Sequence, residues 1–201
     1  MIYIIDYEAG NIHSVARAFR HFGKEVTITK DLSAVTKDDL IVLPGVGAFG
    51  HAVKSLQDNK LFTLLQEKIK AGYKFFGVCL GLQLLFESSE ESNGVKGLAV
   101  FSGTVKRFSE ATNLCIPQIG WNTVTINHPS FKASNGLHFY FVHSYYVQAK
   151  DEAITLATTN YGIDYVSAVV KDNVIATQFH PEKSGKVGLA FLQSVMEYFN
   201  V

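Results

Sequence analysis

The chain has 201 residues, of which 47% are hydrophobic and 18% are charged. This composition excludes a disordered chain and can bury one large core, so we expect a single domain over residues 1–201. Eighteen basic residues balance eighteen acidic residues. The zero net charge argues against a nucleic-acid binder that works through a broad basic face, and it favours association with another chain.

The cysteine content and the first residues of the chain indicate a cytoplasmic protein. The two cysteines, Cys79 and Cys115, cannot form a disulfide framework. No apolar run reaches the ~20 residues that cross a bilayer. The opening sequence MIYIID lacks the basic start and the cleavage site of a signal peptide. We therefore expect a cytoplasmic protein without a membrane segment.

Strands and helices alternate in the first half of the chain. Short apolar runs rich in β-branched and aromatic residues predict strands at residues 2–5, 25–28, 40–43 and 74–78. Apolar residues at helical spacing predict helices at residues 12–22, 48–56, 61–71 and 80–86. This alternation predicts an α/β fold whose mostly parallel central sheet is flanked by helices on both faces.

The second half of the chain is rich in strands. Strands are predicted at residues 104–108, 122–126, 139–147, 154–159, 166–171 and 174–179. Few residues between them have helical spacing, and the turns are short, which implies antiparallel hairpins. A final helix is predicted from a shared apolar face that contains Val187, Ala190, Phe191, Val195, Tyr198 and Phe199.

Cys79 lies in the sequence GVCLG, where a predicted strand meets a predicted helix. This is the nucleophile-elbow arrangement with cysteine in the serine position. Side chains two residues before and after the nucleophile would collide in such a turn, which explains Gly77 and Gly81. The helix start also supplies N–H groups that activate a thiol or hold an oxyanion. The alternative is an inert buried cysteine beside two packing glycines.

The sequence His180-Pro181-Glu182 follows the last predicted strand. Residues two apart in an extended segment point the same way, so Glu182 can orient the His180 imidazole. A base and its orienter lack only a nucleophile, which Cys79 can supply. A capping histidine beside a surface glutamate is the alternative. A metal pair is disfavoured because no further ligand spacing occurs, and we expect no metal and no cofactor.

The turn Pro44-Gly45-Val46-Gly47 ends another predicted parallel strand. Pockets in such sheets lie beyond the carboxyl ends of the strands. Glycines accept positive φ, so Gly45 and Gly47 allow a backbone N–H to face an incoming oxygen and the peptide to reorient. The alternative is an ordinary turn. Cys115 lacks the flanking glycines of an elbow and is interpreted as structural.

Two of these motifs together resemble a known enzyme family. The run GVCLGLQLL at residues 77–85, with FHPE at residues 179–182, is similar to the class I, triad-type glutamine amidotransferases. Further segments resemble the branch of that family that forms the glutaminase subunits of imidazole glycerol phosphate synthase: DYEAGN at 6–11, LPGVGAF at 43–49, IGWN at 119–122, FVHSY at 141–145 and HPEKS at 180–184. Two positions depart from this branch: Glu8, where glycine is usual, and Gln118, where histidine is common.

The resemblance implies a flavodoxin-like fold and a glutaminase with the triad Cys79, His180 and Glu182. It implies oxyanion donors at Leu80 and in the turn formed by Gly45, Val46 and Gly47. It also implies contacts to the substrate glutamine from Gly47, Gln83, Ser144 and Tyr145.

By the same resemblance, the expected partner is a (β/α)8-barrel cyclase, which forms a heterodimer with the chain and uses the ammonia in histidine biosynthesis. The residues expected to face this partner are Asn11, Trp121, Lys183 and Ser184. For Trp121, packing in the core of the second half is the alternative.

Three other functions remain open at this point. The chain could be the glutaminase subunit of another synthase, such as pyridoxal phosphate synthase. It could be a non-catalytic binding module of the same fold. It could also be a thiol hydrolase that acts alone on an ester or a peptide.

Overall fold

The structure, a computed structural model, describes residues 1–8, 11–110 and 114–201. The strands of the first half are β1 (Ile2–Ile5), β2 (Val26–Thr29), β3 (Leu40–Gly45) and β4 (Lys74–Cys79). Its helices are α1 (Ile12–Arg20), α2 (Phe49–Asp58), α3 (Leu61–Lys70) and the short α4 (Leu80–Gln83). The predicted alternation of strands and helices is confirmed.

Short strands dominate the second half. They are β5 (Ser88–Ser89), β6 (Gly103–Arg107), β7 (Gln118–Thr123), β8 (Thr125–Ile126), β9 (His138–His143), β10 (Tyr145–Ala149), β11 (Thr155–Asn160), β12 (Asp164–Lys171) and β13 (Val174–Thr177). Short 3₁₀ turns occur at Pro129–Ser134, Glu152–Ile154 and Pro181–Lys183. The chain returns to helix in α5 (Gly185–Phe199).

The main sheet has the strand order β2-β1-β3-β4-β13-β12-β10-β6-β5, with β11 paired to β12 and β8 paired to β11. The first five of these strands are parallel. The pairs β13–β12, β12–β10 and β10–β6 are antiparallel. A second, two-stranded antiparallel sheet is formed by β7 and β9. The predicted α/β fold, mostly parallel in its centre with antiparallel strands in the second half, is confirmed.

Apolar side chains cover both faces of the parallel strands. Along β1, Ile2 and Ile4 pack on the face covered by α1 and α5, whereas Tyr3 and Ile5 pack against α2 and α3. This follows from the two-residue alternation of side chains along a strand. In the described part of the chain, every helix is too short or too polar to cross a membrane.

Several predicted elements have different bounds in the structure, and two of these differences follow from contacts with distant parts of the chain. The helix predicted at residues 80–86 ends at Gln83, because the carbonyls of Leu84 and Leu85 accept hydrogen bonds from the N–H groups of Leu98 and Val100. The strand predicted at residues 139–147 is broken at Ser144. Its first part, β9, joins the small sheet and its second part, β10, joins the main sheet.

The register of the parallel strands positions the site. Gly45 at the end of β3 lies opposite Cys79 at the end of β4. Thr177 at the end of β13 lies opposite Val78. The loops that leave these three strands therefore meet at one edge of the sheet, where ligands of open α/β sheets bind.

Candidate active site

Cys79 has the strained backbone that the elbow predicts. Its φ of 55° and ψ of −105° lie outside the conformations that side chains favour. A β-carbon at Gly77 would lie 2.8 Å from the Gly81 carbonyl carbon, and one at Gly81 would overlap the Leu43 carbonyl oxygen. Both flanking glycines are therefore required by space.

His180 and Glu182 form a buried pair beside this elbow. Nδ1 of His180 donates to Oε1 of Glu182 at 2.8 Å, and both side chains are 2% exposed. Within the described residues, Nε2 of His180 has no hydrogen-bond partner. Burial alone would lower the pKa of His180, but the charge and hydrogen-bond contributions of Cys79 and Glu182 outweigh burial and raise it. A raised pKa means that the protonated imidazole is favoured, so His180 is suited to accept a proton from the Cys79 thiol.

Ser184 anchors the backbone of His180. Its Oγ donates to the His180 carbonyl at 2.6 Å and accepts from the Tyr140 N–H at 3.0 Å. The side chain is buried, with 1% of the residue exposed. The expectation that Ser184 faces a partner is wrong for its side chain, because both hydrogen bonds hold it inside the protein.

A cavity of about 350 Å³ opens beside Cys79. The four residues predicted to contact glutamine all line it: Gly47, Gln83, Ser144 and Tyr145. Glu91 and Lys183 line it too, and the sequence reasoning did not place either of them in a substrate pocket. Glu91 lies in a stretch without a recognised motif, although its Oε2 accepts a hydrogen bond from the Phe49 N–H at the start of α2.

The turn after β3 forms one wall of the site. Val46 and Gly47 line the cavity. Gly47 has a φ of 104°, as a glycine turn predicts. Gly45 does not have a positive φ, so the expectation that glycine is needed there for its backbone conformation is wrong. A β-carbon there would lie 2.6 Å from the Tyr7 hydroxyl and 2.7 Å from the Leu80 Cβ, so close packing requires glycine.

Gln178 was missed by the sequence reasoning. It directly follows β13 and is fully buried. Its Nε2 donates to the Cys79 sulfur at 3.5 Å, and its Oε1 accepts from Gln83 Nε2 at 3.1 Å. The only signal in the sequence is its place two residues before His180.

His143 lines the cavity as a buried residue. Its Nδ1 donates to the Tyr145 carbonyl at 2.8 Å, since a carbonyl can only accept, and Nε2 lies 3.3 Å from the Tyr165 hydroxyl. Burial is the main cause that lowers the pKa of His143 to about 4. The ring is therefore neutral at neutral pH.

The two departures from the family branch have structural consequences. Glu8 has a φ of 67°, a conformation that glycine adopts at little cost. Its carboxylate pairs with Lys30 at 2.5 Å. Gln118 is buried, and its Oε1 accepts a hydrogen bond from the Tyr165 hydroxyl at 3.0 Å. Gln118 is thus linked to His143 through the Tyr165 hydroxyl, which contacts both side chains.

A surface patch with two exposed apolar side chains adjoins the cavity, and we define it as the rim patch: Ile119, Trp121, Tyr140 and Lys183. Trp121 is 56% exposed and Ile119 is 63% exposed, so the alternative that Trp121 packs in the core is wrong. The Lys183 ammonium lies 5.8 Å from the centre of the Tyr140 ring. Large apolar surface next to a cavity is typical of an interaction site.

Two further predicted residues lie at exposed positions. Asn11 is the N-cap of α1 and is exposed, but its side chain makes no capping hydrogen bond. The Cys115 thiol is exposed, whereas its carbonyl accepts from the Tyr161 hydroxyl at 2.7 Å. Among the described residues, no cluster of histidine, cysteine and acidic side chains could hold a metal ion.

A thiol on a strained elbow, a buried histidine–glutamate pair and an adjoining cavity are the parts of a cysteine-nucleophile enzyme on an α/β sheet. Comparison with known proteins identifies the class further. The family described as "Glutamine amidotransferase class-I" matches residues 3–195. A solved structure titled "Crystal structure of glutamine amidotransferase" superposes with a TM-score of 0.77 and 19% identity over 100% of both chains, which shows the fold.

Curated relatives show to which branch of this family the chain belongs. The protein named "Imidazole glycerol phosphate synthase subunit HisH" from Acinetobacter baylyi is 40% identical over 98% of both chains. That of Methanocaldococcus jannaschii is 43% identical over 98% of this chain and 99% of its own. The chain therefore belongs to the class-I glutamine amidotransferases and, within them, to the HisH family. The predicted family and enzyme class are confirmed.

Proposed function

We propose that this chain, as one amidotransferase domain over residues 1–201, is the glutaminase subunit of an imidazole glycerol phosphate synthase. It hydrolyses glutamine to glutamate and ammonia and passes the ammonia to a cyclase partner. The observation that carries the proposal is the convergence of Cys79, His180 and Glu182 at one edge of the sheet, beside a cavity of about 350 Å³. The names of the HisH relatives support the particular synthase.

The first half of the reaction forms a thioester. His180 Nε2 takes the thiol proton, and the Cys79 sulfur attacks the side-chain carboxamide carbon of glutamine. The negative charge on the carboxamide oxygen meets the Leu80 N–H and an N–H of the turn from Gly45 through Val46 to Gly47. His180 then gives its proton to the amide nitrogen, and ammonia leaves.

The second half hydrolyses the thioester. His180 removes a proton from water, and the hydroxide attacks the thioester carbonyl to release glutamate. Protonated Nε2 returns the proton to the Cys79 sulfur. Glu182 stabilises the imidazolium in both halves through the 2.8 Å hydrogen bond to Nδ1.

The hydrogen bonds that Gln83 makes within the protein determine which group of the substrate glutamine its side chain can bind. Both hydrogens of its Nε2 are used, one by the Tyr145 carbonyl at 3.0 Å and one by Gln178 Oε1 at 3.1 Å. Gln83 can therefore offer the substrate only its oxygen, an acceptor. We assign this oxygen and the Glu91 carboxylate to the α-ammonium group. Gly47, Ser144 and Tyr145 then complete the wall around the amino-acid end.

The rim patch is the proposed docking site for the cyclase, a (β/α)8-barrel with which the chain forms a heterodimer. Trp121 and Ile119 are the exposed residues of this patch. Lys183 belongs to the patch and also lines the cavity. A partner on this patch would cover the mouth of the cavity, so that ammonia passes between the subunits without entering bulk water. Asn11 at the start of α1 is assigned to the same interface.

Glutamine turnover with and without the cyclase tests the proposal. We expect ammonia release that rises sharply with the cyclase and its nucleotide ligand, and that Cys79→Ala abolishes. Loss of a triad nucleophile costs on the order of 10⁶-fold. Cys115→Ala is the matched control and should hydrolyse glutamine normally. Appreciable turnover by Cys79→Ala would overturn the assignment of the nucleophile.

The same assay separates the other functions. A subunit of a different synthase would hydrolyse glutamine but gain nothing from this cyclase. A stand-alone thiol hydrolase would cleave an ester or a peptide and ignore glutamine. A binding module would be inactive with every substrate, and any of these three results would contradict the proposal.

A further inference from the structure

Gln178 contacts the Cys79 sulfur from a buried position outside the lining of the substrate cavity. Its side chain is completely buried and is not among the residues that line that cavity. Its Nε2 lies 3.5 Å from the sulfur, within the range of a hydrogen bond to sulfur. Neither the elbow nor the histidine–glutamate pair requires an amide at this position.

The orientation of the Gln178 amide is set by a chain of hydrogen bonds. The Tyr145 carbonyl can only accept, so the group of Gln83 that faces it at 3.0 Å must be Nε2. The same Nε2 faces one end of the Gln178 amide at 3.1 Å, which must therefore be the oxygen. The nitrogen of Gln178 is then the atom that faces sulfur. A backbone carbonyl thus determines which atom of Gln178 meets Cys79.

We propose that Gln178 is a positioning residue that directs an N–H donor at Cys79 and stabilises its thiolate. This inference rests on the proposed role of Cys79 as the nucleophile. A buried anion is costly unless donors surround it. The thiol proton goes to His180 Nε2, and the amide of Gln178 then solvates the buried sulfur. Cys79 also lines the cavity, which gives glutamine access to the nucleophile.

Gln83 connects this donor to the substrate cavity. Its Nε2 donates to Gln178, and its oxygen is the group proposed to accept the α-ammonium of glutamine. Hydrogen bonds in such a chain polarise one another. Substrate that binds Gln83 would therefore strengthen the donor that Gln178 presents to the thiolate.

The pH dependence of Cys79 alkylation tests the inference without any turnover. The full chain carrying Cys115→Ser leaves Cys79 as its one cysteine, and the rate of reaction with iodoacetamide is measured against pH. We expect Gln178→Met, which keeps the length of the side chain but has no N–H, to raise the alkylation midpoint by about one pH unit. Gln178→Glu places a carboxylate beside the sulfur and should raise it further.

A control separates this effect from a general loss of buried hydrogen bonds. Thr159 is buried, and its hydroxyl donates to Ser167 at 2.9 Å. Thr159→Val therefore removes a buried hydrogen bond that involves neither Gln178 nor Cys79. It should leave the alkylation midpoint unchanged. The acid limb of kcat/KM for glutamine should move with the midpoint in Gln178→Met, whereas a purely structural defect would lower the rate equally at every pH.

Two results would overturn the inference. One is a wild-type midpoint in Gln178→Met, because that variant lacks the N–H. The other, should Gln178→Met fail to fold, is a wild-type midpoint in Gln178→Glu. Failure of the proposed function has a different signature: the unaltered chain with its cyclase would release no ammonia from glutamine, while the comparison of alkylation midpoints would still stand.

Discussion

Tyr140 and His180 share a backbone hydrogen bond, in which the His180 N–H donates to the Tyr140 carbonyl at 2.9 Å. Tyr140 also donates its own N–H to Ser184, which holds the His180 carbonyl. On the neighbouring strand, Trp121 lies opposite Tyr140, and the two rings meet edge to face with centres 6.3 Å apart. Backbone hydrogen bonds of Tyr140 thus connect the rim patch to the histidine of the triad.

Trp121→Ala should weaken the complex with the cyclase and leave the isolated chain stable. Since Trp121 is 56% exposed, its loss removes little buried surface from the fold. An aromatic residue at the centre of an interface contributes about 2 kcal/mol or more, so the dissociation constant should rise about 30-fold or more. Titration calorimetry and thermal melts measure the two effects.

The control for Trp121 is Leu137→Ala. Leu137 is 37% exposed and precedes the first residue of β9, at the end of that strand away from the cavity. It should bind the cyclase normally. A large drop in the melting temperature of Trp121→Ala, with unchanged affinity, would instead assign Trp121 a structural role.

Glu182→Gln should reduce glutamine hydrolysis less than His180→Ala. Glutamine can still hold Nδ1 of the ring but no longer stabilises the imidazolium. By analogy with serine proteases, the expected losses are about 10⁴-fold for Glu182→Gln and on the order of 10⁶-fold for His180→Ala. Steady-state kinetics of the complex measure both variants. Equal losses would show that Glu182 acts outside the triad.

Gly47→Val should blunt the activation of hydrolysis by the cyclase. We expect the isolated chain to be nearly idle, because the turn can aim either an N–H or a carbonyl at the oxyanion. One missing donor costs ~10²–10³-fold in rate. The φ of 104° at Gly47 disfavours a β-branched residue, so valine would resist the glycine conformation that lets this peptide reorient. The ratio of rates with and without cyclase is the measurement.

A second glycine serves as the control for backbone strain. Gly72 has a φ of 86° and lies just beyond α3, so Gly72→Val adds similar strain away from the site. It should keep the full activation. If the isolated wild-type chain were as fast as the complex, the turn would not be a gate. Gly45→Val should instead destabilise the fold, because its β-carbon would press on Tyr7 and Leu80.

His143 should make stability fall in mild acid. Burial lowers its pKa to about 4 in the folded chain, from an ordinary value of 6.5. Between these values the unfolded chain binds more protons, so the contribution of neutral His143 is complete above pH 6.5 and is lost as the pH falls toward 4. From pH 7 to pH 5 the free energy of unfolding should drop by about 2 kcal/mol through this residue.

Urea denaturation at pH 7 and pH 5 measures this difference. His143→Gln should show a drop smaller by that amount, whereas His51→Gln, at an exposed position on α2, should behave as the wild type does. The same drop in all three chains would contradict a role for His143.

The sequence by itself determined the local features of this protein. Short apolar runs predict the parallel strands and apolar residues at helical spacing predict the helices, because these strands bury both faces whereas a helix buries one. The elbow at Cys79 is readable because the glycines on both sides of it, Gly77 and Gly81, form a local motif for a sharp strand-to-helix turn. His180 and Glu182 are recognisable because an extended segment points both side chains the same way.

Only the tertiary structure decided what depends on distant residues. Gln178 meets Cys79 across 99 positions of the chain, and Ser184 meets Tyr140 across 44. For Gln178 the local sequence offers only its place two residues before His180, so it was missed. For Ser184 it carries no trace of the contact with Tyr140, so this residue was assigned to the surface. The close packing at Gly45, the end of α4 and the break at Ser144 likewise follow from partners that only the folded sheet brings near. The burial of these side chains and the direction of their hydrogen bonds depend on partners that are distant in the chain. The register of the strands determines which of these partners meet.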